Sequence, residues 1–166
     1  DCNVFVDNNG KAYFVSTTTE NTNIGIFQLS DDYTKVVSHK CVMKDLRREA
    51  PVIVNKDGLY YMLSSACTGW APNQCKLSTS KKLGKGWSQL ENIGDDKAFR
   101  TQAAAVLEIK GTKQTTYLYV GDRWLERELP ASRIIIFPIS FKDGKCEFEY
   151  CDKFDINFTT GEVRKY

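Results

Sequence analysis

The chain is short of several things that chemistry-bearing proteins rely on. It has one histidine, His39, and its six cysteines (positions 2, 41, 67, 75, 146 and 151) form no Cys-x-x-Cys pair. That spacing argues against a structural zinc site. No glycine cluster follows an apolar run and opens a helix, so a phosphate-cradling loop is excluded. Ser38-His39 and Ser64-Ser65 lack the Gly-x-Ser-x-Gly elbow of a serine hydrolase. No segment approaches the run of about 18 apolar residues needed to span a membrane, and none has the charged-then-apolar form of a leader peptide. A net charge of +2 with acids and bases interspersed gives no continuous basic face, which disfavours nucleic acid and membrane surfaces as partners. Helical periodicity is missing as well: Lys44 to Glu49 and Asp95 to Ala98 are expected to form a turn of helix at most. Neither a metal nor a cofactor is expected.

What remains is strand. An apolar fraction of 42% suffices for a normal core, and it is arranged as a repeat. Val4-Phe5-Val6, the turn Asp7-Asn8-Asn9-Gly10 and Ala12-Tyr13-Phe14-Val15 read as a hairpin. Pro51 to Met62, turning at Asp57-Gly58, has the same form, and Ala104 to Val120, turning near Gly111, is a third copy with a longer turn. The turn glycines are 48 and 53 residues apart. Each copy continues into further strand-like pieces: Ile24 to Leu29, Cys75 to Ser80 and Ser132 to Ile139. A four-stranded unit recurring at such a period predicts the blades of a β-propeller, over residues of about 1–47, 48–98 and 99–166. Propellers close with about four to eight blades, so three repeats predict part of a propeller. Because strand pattern begins within a few residues of Asp1, an upstream part of the protein, including further blades, is expected. Cys67 and Cys75 flank a loop and Cys146 and Cys151 a strand-like segment; either pair could be oxidised, or all could be buried free thiols.

The most informative stretch is Arg48-Glu49-Ala50-Pro51-Val52-Ile53, followed by Cys67-Thr68-Gly69-Trp70-Ala71-Pro72-Asn73. It sets one carboxylic acid before a proline-bounded strand and supplies, within a couple of dozen residues, the small polar and aromatic groups that a sugar pocket needs. With Asp1 before the first hairpin and Gly121-Asp122-Arg123-Trp124 near the end of the third, these motifs resemble glycoside hydrolase family 43, and within it the exo-β-1,3-galactanase branch. The resemblance spans essentially the whole chain.

It implies an all-β catalytic domain of the five-bladed propeller type, of which this chain would be the later three blades. It also implies inverting, exo-acting hydrolysis of a polysaccharide or oligosaccharide, most specifically release of galactose from β-1,3-galactan, and a secreted, periplasmic or cell-surface setting. Glu49 matches the general acid, Asp1 the aspartate that tunes and orients it, and Gln102 the glutamine that holds the attacking water. All three open inner strands at the blade period. A carboxamide is a poor proton acceptor, so Gln102 is read as positioning water; a buried strand glutamine satisfying backbone groups is the other reading. Thr68, Trp70, Asn73 and Trp124 are the substrate-binding candidates, with packing between blades the competing reading for Trp70. Asp122 and Arg123 either line the same pocket or, the favoured reading, pair with each other as a clamp; Tyr60, Tyr61, Tyr117 and Tyr119 are expected to pack in the core, and His39 to lie in a loop. Arg100 replaces an expected small residue, and would tighten the pocket or pair with an acid. An arabinofuranosidase or xylosidase of the same family, and a non-catalytic carbohydrate-binding propeller, are the alternatives. The isolated chain is expected to be inactive, because the pocket needs all blades to close.

Overall fold

The computed structural model describes residues 1–166. Three four-stranded antiparallel meanders follow one another along the chain. The first contains β1 (Cys2–Val6), β2 (Ala12–Thr18), β3 (Asn23–Leu29) and β4 (Val36–Met43). The second contains β5 (Arg48–Lys56), β6 (Leu59–Ala66), β7 (Lys76–Ser80) and β8 (Glu91–Asn92). The third contains β9 (Gln102–Lys110), β10 (Thr115–Arg123), β11 (Arg133–Lys142) and β12 (Lys145–Glu147). A separate ribbon, β13 (Phe154–Ile156) with β14 (Val163–Lys165), ends the chain. The chain is all-β and its sheets are three blades of a β-propeller of the five-bladed type.

Alternation along each strand decides which blade faces which. In β5, Ile53 joins Phe5, Val15, Ile26 and Met62 in one apolar cluster against the first blade. Its neighbours Val52 and Val54 join Leu63, Tyr119, Phe137 and Phe141 in a second cluster against the third. Successive side chains of a strand point to opposite faces, so the middle blade is covered on both sides. The outer blades are covered on one only: Val4 and Val6, flanking Phe5 on β1, are 55% and 52% exposed, and Ile134 and Ile136 of β11 are 64% and 43% exposed. Tyr61, Tyr117 and Tyr119 are core residues. Tyr60 packs beside Phe5 with its hydroxyl on Asp7 Oδ2 at 2.8 Å.

The Asp57-Gly58 hairpin has positive φ at both residues (54° and 80°), the backbone of a two-residue turn whose twist matches its strands. The third hairpin is built differently. Gly111 is not left-handed; a Cβ there would lie 2.1 Å from the backbone of Thr160 and Gly161. The β9–β10 turn is pinned to the terminal ribbon, with Thr112 N donating to Thr159 O at 2.9 Å and Thr116 Oγ1 to Gly161 O at 2.6 Å.

The two segments expected to hold a turn of helix at most stay within that limit, and the loop placement of His39 is corrected. Lys44 to Arg47 form no helical turn; Asp45 and Arg47 are left-handed (φ 59° and 49°), and the strand starts directly at Arg48. After Asp95 the chain makes one 3-10 turn over Ala98–Arg100, within the expected limit of a single turn. His39 lies within β4 rather than in a loop, edge-on to Phe27 at 4.6 Å. All six cysteines are free thiols, and burial pushes Cys75 up to about 12, which keeps it a neutral packing group.

Gly111→Ala should destabilise the protein by about 1–3 kcal/mol, since the added methyl meets backbone that has no rotamer to change. Urea unfolding midpoints check this, and an unchanged midpoint would show that the ribbon is not held by that close approach.

Candidate active site

The starts of the inner strands β1, β5 and β9 converge at one end of the blades. Glu49 is the second residue of β5 and pairs with Ser65 across β6, but the next register pair is Val52 with Leu63. Ala50 and Pro51 form a bulge between them, and Ala50 is left-handed at φ 49°. Such a conformation costs a non-glycine residue about 1–2 kcal/mol, and bulges re-aim the side chain beside them. The half-buried Glu49 carboxylate is thereby presented to two amides. Gln102 Nε2 donates to Oε1 at 3.2 Å and Asn21 Nδ2 to Oε2 at 3.3 Å. Asn21 ends a run of three left-handed residues, Thr19 to Asn21, that makes the turn between β2 and β3.

Beneath Glu49 the support is cationic. Arg48 is only 5% exposed and has no carboxylate within salt-bridge distance. Its Nη2 donates to Ser64 O and, at 2.9 Å, to Gln74 O, and its Nε donates to Ser64 Oγ at 3.2 Å. It therefore ties β5 to β6 and to the end of the Cys67–Asn73 loop, while burial lowers its pKa from the ordinary arginine value.

Gln102 is held at both ends of its amide. Besides Glu49, Nε2 donates to Ser65 Oγ at 2.9 Å, and Oε1 accepts from Trp124 Nε1 at 2.9 Å. Trp124 packs edge-on against Trp70, their rings 5.3 Å apart. Trp70 is 44% exposed and, with Arg100, Gln102, Asp122 and Trp124, walls a mostly polar cleft. Inside the loop, Asn73 Oδ1 accepts from Ala66 N at 2.7 Å and its Nδ2 donates to Ala66 O at 3.0 Å and Thr68 Oγ1 at 2.7 Å. Thr68 Oγ1 donates to Ala71 O at 2.7 Å, so these two residues brace the turn that carries Trp70.

Asp1 is exposed, with its carbonyl paired to Thr17 N at 3.0 Å. It lines a second cavity together with Gln102, Asp122 and Trp124, and makes no hydrogen bond to Glu49. The expected Asp122–Arg123 pair is corrected: Arg123 Nη2 donates to Phe99 O at 2.9 Å, and the Asp122 carboxylate has no ion-pair partner. Both residues line the cleft without pairing to each other. Arg100 pairs with no acid either; it stands at the cleft wall, exposed, at the end of a left-handed run from Ala98. No three His, Cys, Asp or Glu side chains converge as metal ligands.

Three residues of this constellation escaped the sequence. Asn21 sits 28 positions before Glu49, off the blade period, in a polar run with nothing to single it out. Ser65 reaches Gln102 only because β5 and β6 pair in the register that opposes it to Glu49. Arg48 reads as an exposed strand-entry charge until its burial is known.

Comparison with known proteins places these features in context. The family model described as glycosyl hydrolases family 43 matches residues 1–125. No curated protein sequence matches the chain. Among solved structures, an exo-β-1,3-galactanase from Clostridium thermocellum superposes with a TM-score of 0.96 at 38% identity, over 100% of this chain and 37% of that one. An exo-β-1,3-galactanase from Phanerochaete chrysosporium, solved as a variant with β-1,3-galactotriose, gives 0.92 at 29% identity, over 100% and 39%. An exo-1,5-α-L-arabinanase from a bovine ruminal metagenomic library shares the fold, with a TM-score of 0.62 at 18% identity. The chain thus spans about two-fifths of the length of the two galactanases.

Burial raises the Asp122 pKa above the ordinary aspartate value. An acid raised in the folded state favours folding while protonated, and that contribution is lost as pH rises through the raised value. Asp122→Asn should therefore raise the urea midpoint relative to wild type at pH 7, with the gap closing below about pH 4. An equal gap at both pH values would contradict burial as the cause.

Proposed function

The chain belongs to glycoside hydrolase family 43, and on that premise we propose that residues 1–166 are the later blades of a catalytic propeller that releases galactose from β-1,3-galactan by inverting, exo-acting hydrolysis. The observation that carries this reading is Glu49: a single carboxyl presented by a strained bulge, 3.2 Å from the amide of Gln102, which itself lines a cleft walled by two tryptophans. Inverting hydrolysis needs an acid on the leaving oxygen and a group that holds water on the opposite face of the sugar ring. Glu49 is the proton donor in this proposal and Gln102 the holder of the water. Substrate would part their direct hydrogen bond, since a sugar ring and a water have to fit between the two groups. The water oxygen bonds to the anomeric carbon as the glycosidic bond breaks. Glu49 gives its proton to the leaving oxygen, and the proton released by the water returns through solvent to restore Glu49. Asp1, which lines a second cavity together with Gln102, is the residue assigned in this proposal to orienting the acid.

Trp70 offers an exposed indole face to the C–H face of galactose. Thr68 and Asn73 contribute to substrate binding by fixing the loop that aims it. The galactanase likeness at 38% identity favours galactan over arabinan or xylan as substrate, because the arabinanase is alike in fold alone. The remaining blades, upstream of Asp1, would cover the apolar face at Val4 and Val6 and complete the pocket. The substrate implies action outside the cell or at its surface.

In the full-length parent protein, Glu49→Gln should lower galactose release from β-1,3-galactan by about 10²–10⁴-fold, the usual worth of a general acid. The isolated 1–166 chain should release none. Galactan that is bound but not cleaved by the wild-type parent would replace the enzyme reading with a sugar-binding propeller, and arabinose or xylose release would move it to another substrate class.

A further inference from the structure

The Gln102 carboxamide has two N–H donors and two acceptor lone pairs, and the protein occupies three of these four positions. Nε2 donates to Glu49 Oε1 at 3.2 Å and to Ser65 Oγ at 2.9 Å, and Oε1 accepts from Trp124 Nε1 at 2.9 Å. What fixes the amide's direction is the indole. An indole nitrogen can only donate, so the atom facing it has to be Oε1. Rotating the amide by half a turn would set two donors against each other and leave a half-buried polar group unsatisfied.

Trp124 is itself immobilised. It follows Arg123 at the end of β10, where the Arg123 guanidinium is tied to Phe99 O at 2.9 Å, and its ring lies edge-on to Trp70. Ser65 is 5% exposed, and its hydroxyl donates to the Glu49 carbonyl at 3.4 Å, so its oxygen faces Gln102 as an acceptor. One hydrogen-bonding position of Gln102 is left over: the second lone pair of Oε1.

We propose that Trp124 is a positioning residue for hydrolysis, locking the Gln102 carboxamide so that it offers the attacking water one acceptor lone pair and no donor. This rests on the reading of Gln102 as the water holder. A water that donates to Oε1 keeps an oxygen lone pair free to reach the anomeric carbon. A flipped amide would donate N–H to that lone pair and turn the water away from attack. The indole thus decides which end of the water faces the sugar. It does so from a place that the sequence pattern assigns to sugar contact.

The test compares Trp124→Phe, which keeps an aromatic ring against Trp70 and removes the N–H, with Trp70→Ala, Gln102→Ala and the Trp124→Phe/Gln102→Ala double variant, all in the full-length parent acting on β-1,3-galactan. Trp124→Phe should lower kcat by about 10- to 100-fold, as misplacement of a reacting group does, with KM changed by less than about twofold. It should cost nothing further in the Gln102→Ala background, since the two act as one unit. A Trp124→Phe effect confined to KM, or one that multiplies undiminished onto Gln102→Ala, would make Trp124 a sugar contact and overturn the proposal. A second readout does not depend on turnover: the ¹⁵N–¹H resonances of the Gln102 side-chain amide should move in Trp124→Phe and not in Trp70→Ala. If they stay unmoved in a folded Trp124→Phe protein, the lock does not exist. If they move while the wild-type parent releases no galactose, the lock stands as a structural feature, and the proposal that it serves hydrolysis falls together with the reading of Gln102 as water holder.

Discussion

The middle blade is buried on both faces, and everything else in the molecule is referred to it. Its inner strand alternates strictly, with Ile53 toward the first blade and Val52 and Val54 toward the third. A register slip of one residue would exchange the two faces, so packing on both sides pins β5 far more firmly than one-sided burial could. That rigidity is what allows a strained residue to persist at its start. Ala50 stays left-handed because Pro51 to Val54 behind it are buried and Val52 to Val54 are paired, and Glu49 is aimed by the bulge that results.

The site is assembled from the same constraint. Groups from all three blades meet at the starts of the inner strands: Asn21 from the first, Glu49 and Ser65 from the second, Gln102 and Trp124 from the third. None of the contacts is strong alone; each hydrogen bond contributes about 1 kcal/mol net, and more when one partner is charged. Their value is geometric. Each amide has its direction set by a neighbour that can act in one sense only, as the indole N–H does for Gln102. The buried Arg48 extends this order outward, joining the acid strand to Gln74 and so to the loop that carries Trp70. A cation buried among carbonyls without a carboxylate is costly to desolvate, and it is tolerated here because one planar group satisfies Ser64 O, Ser64 Oγ and Gln74 O together.

The repeat was legible because strand alternation and Asp-Gly turns are local properties. Gly10 and Gly58 mark hairpins where positive φ is required (78° and 80°). Gly111 carries the same letter for another reason, the approach of the Thr160–Gly161 backbone, which lies 50 residues away in sequence and could not be foreseen. The candidates Glu49, Gln102 and Trp124, which the family resemblance implied, do lie together. Asp1 shares a cavity with Gln102 but makes no hydrogen bond to Glu49. The misjudged pair, Asp122 and Arg123, lines one cleft without pairing, because the Arg123 guanidinium is turned to the Phe99 carbonyl.

The sequence by itself determined the all-β class and the period of the blades, since these depend on side-chain alternation and turn chemistry within a few residues. Only the tertiary structure decided which polar groups meet Glu49, how the Gln102 amide is turned, and that Arg48 is buried while Asp122 lacks an ion-pair partner. Those outcomes depend on inter-blade packing and on one β-bulge, where residues 28 to 53 positions apart come within hydrogen-bonding distance. A one-dimensional pattern carries no information about which of two neighbouring polar residues such packing will cover.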